Sequence, residues 1–377
     1  MSLNPRVSQL SGSLIREIAA KRKPSSIDLG MGEPSLRPNP AHFEAAMRYV
    51  LERGIRYTVN AGDLELRRRI AEHYDYPNMN QADNVCITTG SQEAMYAVLK
   101  TILNPLEDEL LVVQPAFPSY MKMAKLEGVA VRAVCMREED DFAYDAQLIL
   151  DALTERTRAI VICSPCNPTG RVLTRDTVER IAAALTEREG APVWVIHDEI
   201  YREQTFIDNA GYFAQVYPHT IVTNSVSKSN ALTGLRLGWT IAPAQAAAAI
   251  VKVHAWLTSC ADTFAQQVAL NIFADAAANL AEQTRWYAGQ QANVVEALRA
   301  SGLRFITPEG SFYACIRLPD GIDSLITAHE LAEDCDVIAI PGVAFGECFS
   351  GWLRLSWVAP INDVREGIRR IARQLGR

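Results

Sequence analysis

The sequence predicts an α/β protein: a mostly parallel seven-stranded sheet with helices on both faces, followed by a smaller α+β unit. Three observations carry this. Between residues 85 and 241, seven short apolar runs recur, and amphipathic helical patterns separate most of them. The runs are apolar throughout rather than alternating, as strands buried on both faces are. Beyond residue 243 the pattern changes to long helices and then to shorter, mixed elements.

The bulk properties narrow the field. A chain of 377 residues is long enough for two domains, and 49% hydrophobic against 21% charged residues is ordinary for a soluble globular protein. The net charge of −7 argues against a nucleic-acid surface, and the only dense basic runs are Lys21 to Lys23 and Arg67 to Arg69. A run of 18 apolar residues is lacking, so a membrane span is not expected, nor is a secretory leader. Met1-Ser2-Leu3 is compatible with an added leader. Several of the eight cysteines, among them Cys86, Cys163 and Cys315, sit in apolar strand-like runs, which suits reduced thiols in a cytoplasmic protein. Cys163 and Cys166 match C-x-x-C, but a second pair at zinc-like spacing is missing, so no metal site is expected.

In chain order, residues 1–26 carry a short amphipathic pattern (Val7, Leu10, Leu14, Ile15, Ile18). A short strand then runs into Gly30-Met31-Gly32-Glu33-Pro34. That spacing is not a dinucleotide fingerprint; its glycines allow close backbone approach to a small ligand. A helix follows over 41–53, and Asp63 caps another over 64–73, in which one or two of Arg67 to Arg69 face solvent. Strands are predicted over 85–88, 110–114, 130–134, 159–163, 193–198, 220–225 and 237–241, with helices over 91–103, 117–127, 145–153 and 174–189. Helical patterns at 244–256 and about 263–301 lead into an α+β unit over 304–377.

Ligands of such sheets bind beyond the C-terminal strand ends, so the turns there are the places to search. After the first strand, Thr89-Gly90-Ser91-Gln92 opens a helix whose first N–H groups suit a phosphate, although Ser91 also reads as a plain helix cap. Phe117 follows the second strand. After the fourth, Ser164-Pro165-Cys166-Asn167-Pro168-Thr169-Gly170 makes a rigid turn that orients the Asn167 amide. Asp198 ends the buried fifth strand, where a carboxylate needs a cation or a donor; Tyr201 lies just beyond, and His197 points to the other face. After the sixth strand comes Ser225-Val226-Ser227-Lys228, a lysine among small residues that desolvation turns toward the free amine able to form a Schiff base. Eight residues on, Arg236 offers a forked cation for a phosphate. Late in the chain, Arg354 sits inside the apolar strand Trp352 to Trp357, a place where an arginine needs an anionic partner.

Together, in this order, these segments resemble the class I/II pyridoxal-phosphate aminotransferases of fold type I, over nearly the whole chain from Gly30 to Trp357. The resemblance implies a homodimer in which Lys228 holds pyridoxal 5'-phosphate. Asp198 would pair with the pyridine nitrogen, Asn167 and Tyr201 would share the phenolic oxygen, and Phe117 would stack on the ring. Ser91, Gln92, Ser225 and Arg236 would hold the phosphate, joined by Tyr57 from the partner subunit. Gly32, Asn167 and Arg354 would bind the substrate, Arg354 its α-carboxylate, and Lys228, Asp198 and Tyr201 form the catalytic set. It further implies ping-pong transfer between an L-amino acid and a 2-oxo acid, and an arm with part of the small domain at 1–40, a large domain at 41–275 and a small domain at 276–377. The family usually has asparagine where Cys166 stands. A β/γ-eliminating lyase on the same cofactor is the alternative, and Tyr201 in place of a histidine disfavours it. A cofactor-sensing regulator is disfavoured because the family pattern begins by about residue 27. For a second substrate carboxylate the sequence offers Arg37, which reads equally as a solvated loop residue.

Overall fold

The computed structural model describes residues 4–377; Met1, Ser2 and Leu3, the leader-like segment, lie outside the described residues. A two-residue strand β1 (Ile27–Asp28) opens the sheet architecture. Seven strands then make the central sheet: β2 (Val85–Thr88), β3 (Glu109–Gln114), β4 (Ala130–Cys135), β5 (Thr157–Cys163), β6 (Trp194–Asp198), β7 (Thr220–Ser225) and β8 (Gly238–Ile241). Their order across the sheet is β2-β8-β7-β6-β5-β3-β4. β8 runs antiparallel to both its neighbours, and every other pairing is parallel. The predicted strands are therefore present with ends displaced by a residue or two. β8's reversal depends on which strands it pairs with, and its apolar pattern is the same in either direction.

The parallel strands deliver their following turns to one edge. The register Cys163↔Asp198 and Asp198↔Thr223 sets the ends of β5, β6 and β7 side by side. Helices Gly90–Ile102, Ser119–Glu127, Ala146–Asp151 and Arg175–Glu187 cover the sheet, whose strands β2, β7 and β8 are buried along their whole length. Asp63 does cap helix Leu64–Tyr74, accepting from Leu66 N at 3.0 Å. Of the three arginines in that helix, Arg67 is buried rather than solvated. Its Nε and Nη1 donate to Gly62 O (3.2 Å) and Ala82 O (2.9 Å), fastening the 57–62 loop to the helix.

The helical region at 263–301 is two helices, Thr263–Ala274 and Ala276–Ala300, broken at Asp275 (φ −116°, ψ 31°). Beyond it, β9 (Phe305–Ile306), β10 (Tyr313–Arg317), β11 (Val337–Ile338), β12 (Ile340–Pro341) and β13 (Trp352–Ser356) follow. Four of them form an antiparallel sheet in the order β12-β13-β10-β9, while β11 pairs in parallel with β1. Helix Ile361–Gln374 lays Val364, Ile368 and Ile371 against this unit. The β1–β11 pairing places the glycine turn after β1. Asp28 Oδ1 accepts from Gly30 N (2.9 Å) and Met31 N (3.1 Å), and Leu29 O accepts from Ser356 N at 2.6 Å.

Candidate active site

The turns at the C-terminal strand edge, the glycine turn after β1 and the strands β10 and β13 enclose a cavity of ≈ 450 Å³. One end is positive. Helix Gly90–Ile102 starts here with Thr89 at its cap position and no side chain capping it, so its first N–H groups are free for an anion. Ser91 is inside the helix, so its reading as a cap does not hold. Gly90 has φ +79°, and a Cβ on it would lie 2.5 Å from Arg236 Nη2. Glycine there lets the guanidinium lie over the helix start. Arg236 has no acidic partner among the described residues; its Nη1 donates to Thr233 O at 2.8 Å. Helix dipole and arginine together make a seat for a dianion such as a phosphate ester.

The far wall carries a buried carboxyl group. Asp198 is buried, with Oδ2 accepting from Tyr120 Oη at 2.6 Å and Oδ1 from Thr223 Oγ1 at 3.2 Å and Ile200 N at 3.3 Å. Burial pushes its carboxyl above the usual carboxylate range, while the Tyr120 and Thr223 bonds pull it back. No Lys or Arg pairs with it among the described residues, so a protonated aromatic nitrogen would be its missing counter-charge.

Between these ends stands Lys228, on the short helix Val226–Ser229 that continues β7. Its Nζ donates to Gly32 O at 2.8 Å and lies 5.8 Å from the Phe312 ring centroid. Burial first, and Arg354 second, push its amine down to about 8, with Glu33 opposing. Asn167 Nδ2 approaches Tyr201 Oη at 3.5 Å, and Tyr201 Oη lies 3.2 Å from Tyr313 Oη. Burial pushes the Tyr201 phenol well above its ordinary value, so its proton stays available for donation.

Arg354 faces Lys228 from the other side. It is only 2% exposed, yet no carboxylate meets it among the described residues. Its Nη1 donates to Asn167 Oδ1 at 3.0 Å and its Nη2 to Gly30 O, while Nε has no partner. The rings of Tyr313 and Phe345 flank it at 4.2 and 4.9 Å. The internal salt bridge that would have made this arginine merely structural is not there. A buried, preformed, half-satisfied fork is what an incoming carboxylate completes.

Lys228, Asp198, Tyr201, Asn167, Phe117, Ser91, Gln92, Arg236, Gly32 and Arg354 all line the one cavity. Gly32 is held to glycine because a Cβ would strike the Tyr313 hydroxyl and come within 3.0 Å of Phe312. Three residues lie outside this cavity. Ser225 is fully buried behind the wall, where its Oγ accepts from Ser227 N at 3.0 Å; of these two serines it is Ser227 that lines the cavity. Tyr57 is 88% exposed and outside this chain's own cavity. Arg37 lines a separate shallow depression with Asn39 and Glu282. Sequence reasoning missed Tyr120, Tyr313 and Arg16. Tyr313 sits two residues from Cys315, the register partner of Arg354, so its ring is a diagonal neighbour on the same sheet face.

Over residues 24–371 the chain matches the family described as aminotransferase class I and II. It is 33% identical over 379 residues to a probable N-acetyl-LL-diaminopimelate aminotransferase of Bacillus subtilis, covering 98% of this chain and 94% of that one. It is 32% identical over 381 residues to an aspartate aminotransferase of Pyrococcus horikoshii, covering 98% and 96%. The solved structure of the Thermus thermophilus aspartate aminotransferase with maleate is similar at a TM-score of 0.90 and 28% identity, covering 99% of each chain.

Proposed function

The chain belongs to the class I and II aminotransferases and is a pyridoxal-phosphate-dependent transaminase, moving an amino group from an amino acid to a 2-oxo acid; on that premise we propose how its own residues divide the work. Pyridoxal phosphate, when bound, supplies a carbonyl that takes up the donor's nitrogen and a ring that accepts the electron pair left on the donor's Cα. The residues present fit it: a dianion seat at Arg236 and the helix start, an uncompensated buried carboxylate at Asp198, and a depressed amine between them.

Arg354 grips the donor's α-carboxylate as a fork, with Asn167 holding that fork in line. Lys228 Nζ would take the proton from the donor's Cα and hand it to the cofactor's carbonyl carbon, two bonds away across the nitrogen. Asp198 keeps the proton on the ring nitrogen. Tyr201 donates toward the ring oxygen, with Tyr313 and Asn167 fixing its hydroxyl. Phe117, on the cavity wall, would lie against the ring and help exclude water. The observation carrying this reading is Arg354, a buried cation with no anion of its own, set across from Lys228.

The lining also bears on the donor. Four cations (Arg16, Lys228, Arg236, Arg354) meet two anions (Glu33, Asp198). Phosphate takes Arg236 and the α-carboxylate takes Arg354, which leaves Arg16 at the mouth for a side-chain carboxylate. Arg16 is exposed and forms no ion pair among the described residues. An acidic amino acid is the preferred donor on this reading. With the cofactor loaded and no oxo acid present, glutamate is expected to convert the absorption spectrum with kcat/KM about fivefold above glutamine. Equal values would reject Arg16's role, and a spectrum unmoved by any amino acid would reject the division of work. Ammonia released catalytically would return the reading to a lyase.

We also propose a homodimer. Tyr57, Ile55 and Val59 are exposed, and Asn60 Nδ2 donating to Ser259 O at 2.7 Å and Thr263 Oγ1 to Arg56 O at 2.5 Å tie their loop to the segment that follows Trp256, itself 92% exposed. This apolar face carries Tyr57 toward a partner's phosphate seat. Sedimentation is expected at twice the 41.6 kDa chain mass, with Tyr57→Phe weakening cofactor retention about fivefold. A monomer with unchanged retention would overturn it. The break at Asp275 supports the boundary between 41–275 and 276–377, with 1–40 as the arm. Buried free thiols at Cys86, Cys163, Cys166 and Cys315 support a cytoplasmic setting. Among the described residues no helix is long and apolar enough to cross a membrane.

A further inference from the structure

Behind the phosphate seat lies an acid–base pair that the transaminase chemistry does not touch. Glu93 stands in the first turn of helix Gly90–Ile102, and His254 in helix Ala244–Thr258, which packs against it. His254 Nδ1 lies 3.0 Å from Glu93 Oε1 and 3.1 Å from Oε2, and Thr258 Oγ1 approaches the same nitrogen at 3.3 Å. Glu93 Oε2 also accepts from Thr89 N at 2.8 Å. The His254 side chain is fully buried, and that of Glu93 is only 13% exposed. Neither residue lines the cavity, whereas Ser91 and Gln92, immediately before Glu93, do. We propose that Glu93 and His254 are positioning residues for the cofactor's phosphate, forming a carboxylate–imidazole clasp on the back of the helix start that keeps its front N–H groups clear and aimed. This rests on the reading that the phosphate sits at that helix start beside Arg236.

The chemistry of the helix start explains the need. The macrodipole favours a carboxylate in the first turn. That same carboxylate, if free to swing forward, would take the N–H groups that a phosphate needs and repel its negative charge. Here the carboxylate is turned away and occupied. One oxygen reaches back to the N–H of Thr89, the cap residue, as a glutamate does in a capping box. Both oxygens face the imidazole, and His254 is the only basic side chain paired with Glu93 among the described residues. His254 Nε2 has no partner among them. The proton therefore belongs on Nδ1, toward the carboxylate, and the ring serves as a donor to Glu93.

Two further contacts hold the same helix start. Thr88 Oγ1 donates to Gly90 O at 3.1 Å, and Gly238 of β8 lies so close that a Cβ on it would fall 2.6 Å from Ser91 N. The clasp adds a link outward. Helix Ala244–Thr258 is followed by Ser259, whose carbonyl accepts from Asn60 Nδ2 in the loop that carries Tyr57. The chain's own phosphate donors are thereby joined to the segment that offers Tyr57 to a partner.

The test titrates cofactor-free protein with pyridoxal phosphate and with pyridoxal, which lacks the phosphate, and reads the ratio of the two dissociation constants. Misplaced phosphate donors change that ratio, while general loosening of the fold weakens both ligands alike. Glu93→Ala is expected to cut the preference for the phosphorylated ligand about tenfold, and His254→Leu about fivefold, as the unpaired carboxylate turns toward the seat. His254→Asn, whose amide nitrogen can replace the Nδ1 donor, is expected to restore most of the preference. Arg236→Gln, which strips the seat itself, provides the reference loss. Should Arg236→Gln lower the preference while Glu93→Ala and His254→Leu do not, the clasp is structural and the proposal fails. If Arg236→Gln leaves the preference intact, the phosphate is held elsewhere, and the clasp falls together with the seat. A His254→Asn protein as impaired as His254→Leu would also overturn it. If His254→Leu does not fold, Glu93→Ala decides alone.

Discussion

Lys228→Ala is expected to lower transaminase turnover about a thousandfold, because one side chain supplies both the covalent hold on the cofactor and the proton shuttle at Cα. Lys228→Arg should fare no better, since a guanidinium keeps the charge but cannot give up its proton. A small primary amine added to the alanine variant should restore part of the rate, which a merely structural lysine would not allow. Turnover at the unaltered level in Lys228→Ala would sink the assignment. The pH dependence has a definite sign. Burial and Arg354 bring the amine down to about 8, so near pH 8 about half of it is free base, against under about 1% for an ordinary lysine. Capture of pyridoxal phosphate by cofactor-free protein should therefore accelerate as pH rises through about 8 and level off above it. Acceleration continuing unchanged to pH 10 would contradict the depressed amine.

Arg354→Gln is expected to reduce kcat/KM for every amino donor by roughly 10²–10³-fold, with KM carrying much of the loss, because the buried fork is removed from the carboxylate it completes. Arg354→Lys keeps a charge but loses the two parallel bonds, and should fall between. The substitution also removes one of the charges that depress Lys228, so the midpoint for cofactor capture should move upward. That coupled shift separates a direct role from simple damage to the fold. A variant with unchanged kcat/KM but a lowered melting temperature would return Arg354 to structural duty.

The parts of the site that were legible in the sequence share a physical origin. Lys228, Asp198, Asn167 and Phe117 follow buried strands, and parallel pairing sends all such turns to one edge whatever the detailed register. The strands themselves announce themselves as apolar runs. What escaped depends on pairings between distant segments. Arg16 and Arg37 are both exposed cations near the glycine turn, and only the folded chain shows that Arg16 lines the cavity and Arg37 a separate depression. Tyr313 is brought beside Arg354 by the β10–β13 register. Tyr120 looks like any helix-face aromatic until β3 and β6 bring its hydroxyl to Asp198. Ser225 and Ser227 are two residues apart in S-x-S-K, and only the backbone path at the end of β7 decides which hydroxyl lines the cavity. The break at Asp275 interrupts an otherwise continuous helical pattern without glycine or proline to mark it.

The pairing of β1 with β11 has a consequence for how the protein comes into being. Ile27 is made long before its partner Val337, with the whole central sheet between them in the chain. The central sheet is complete by residue 241, so it can collapse while the chain is still growing. In that interval Gly30 O lacks its Arg354 donor, and the turn lacks the β11 strand against which β1 lies. The nascent chain thus carries a finished scaffold with an unfinished pocket. Closure of that pocket is an event of high contact order, so binding competence follows the central sheet rather than accompanying it.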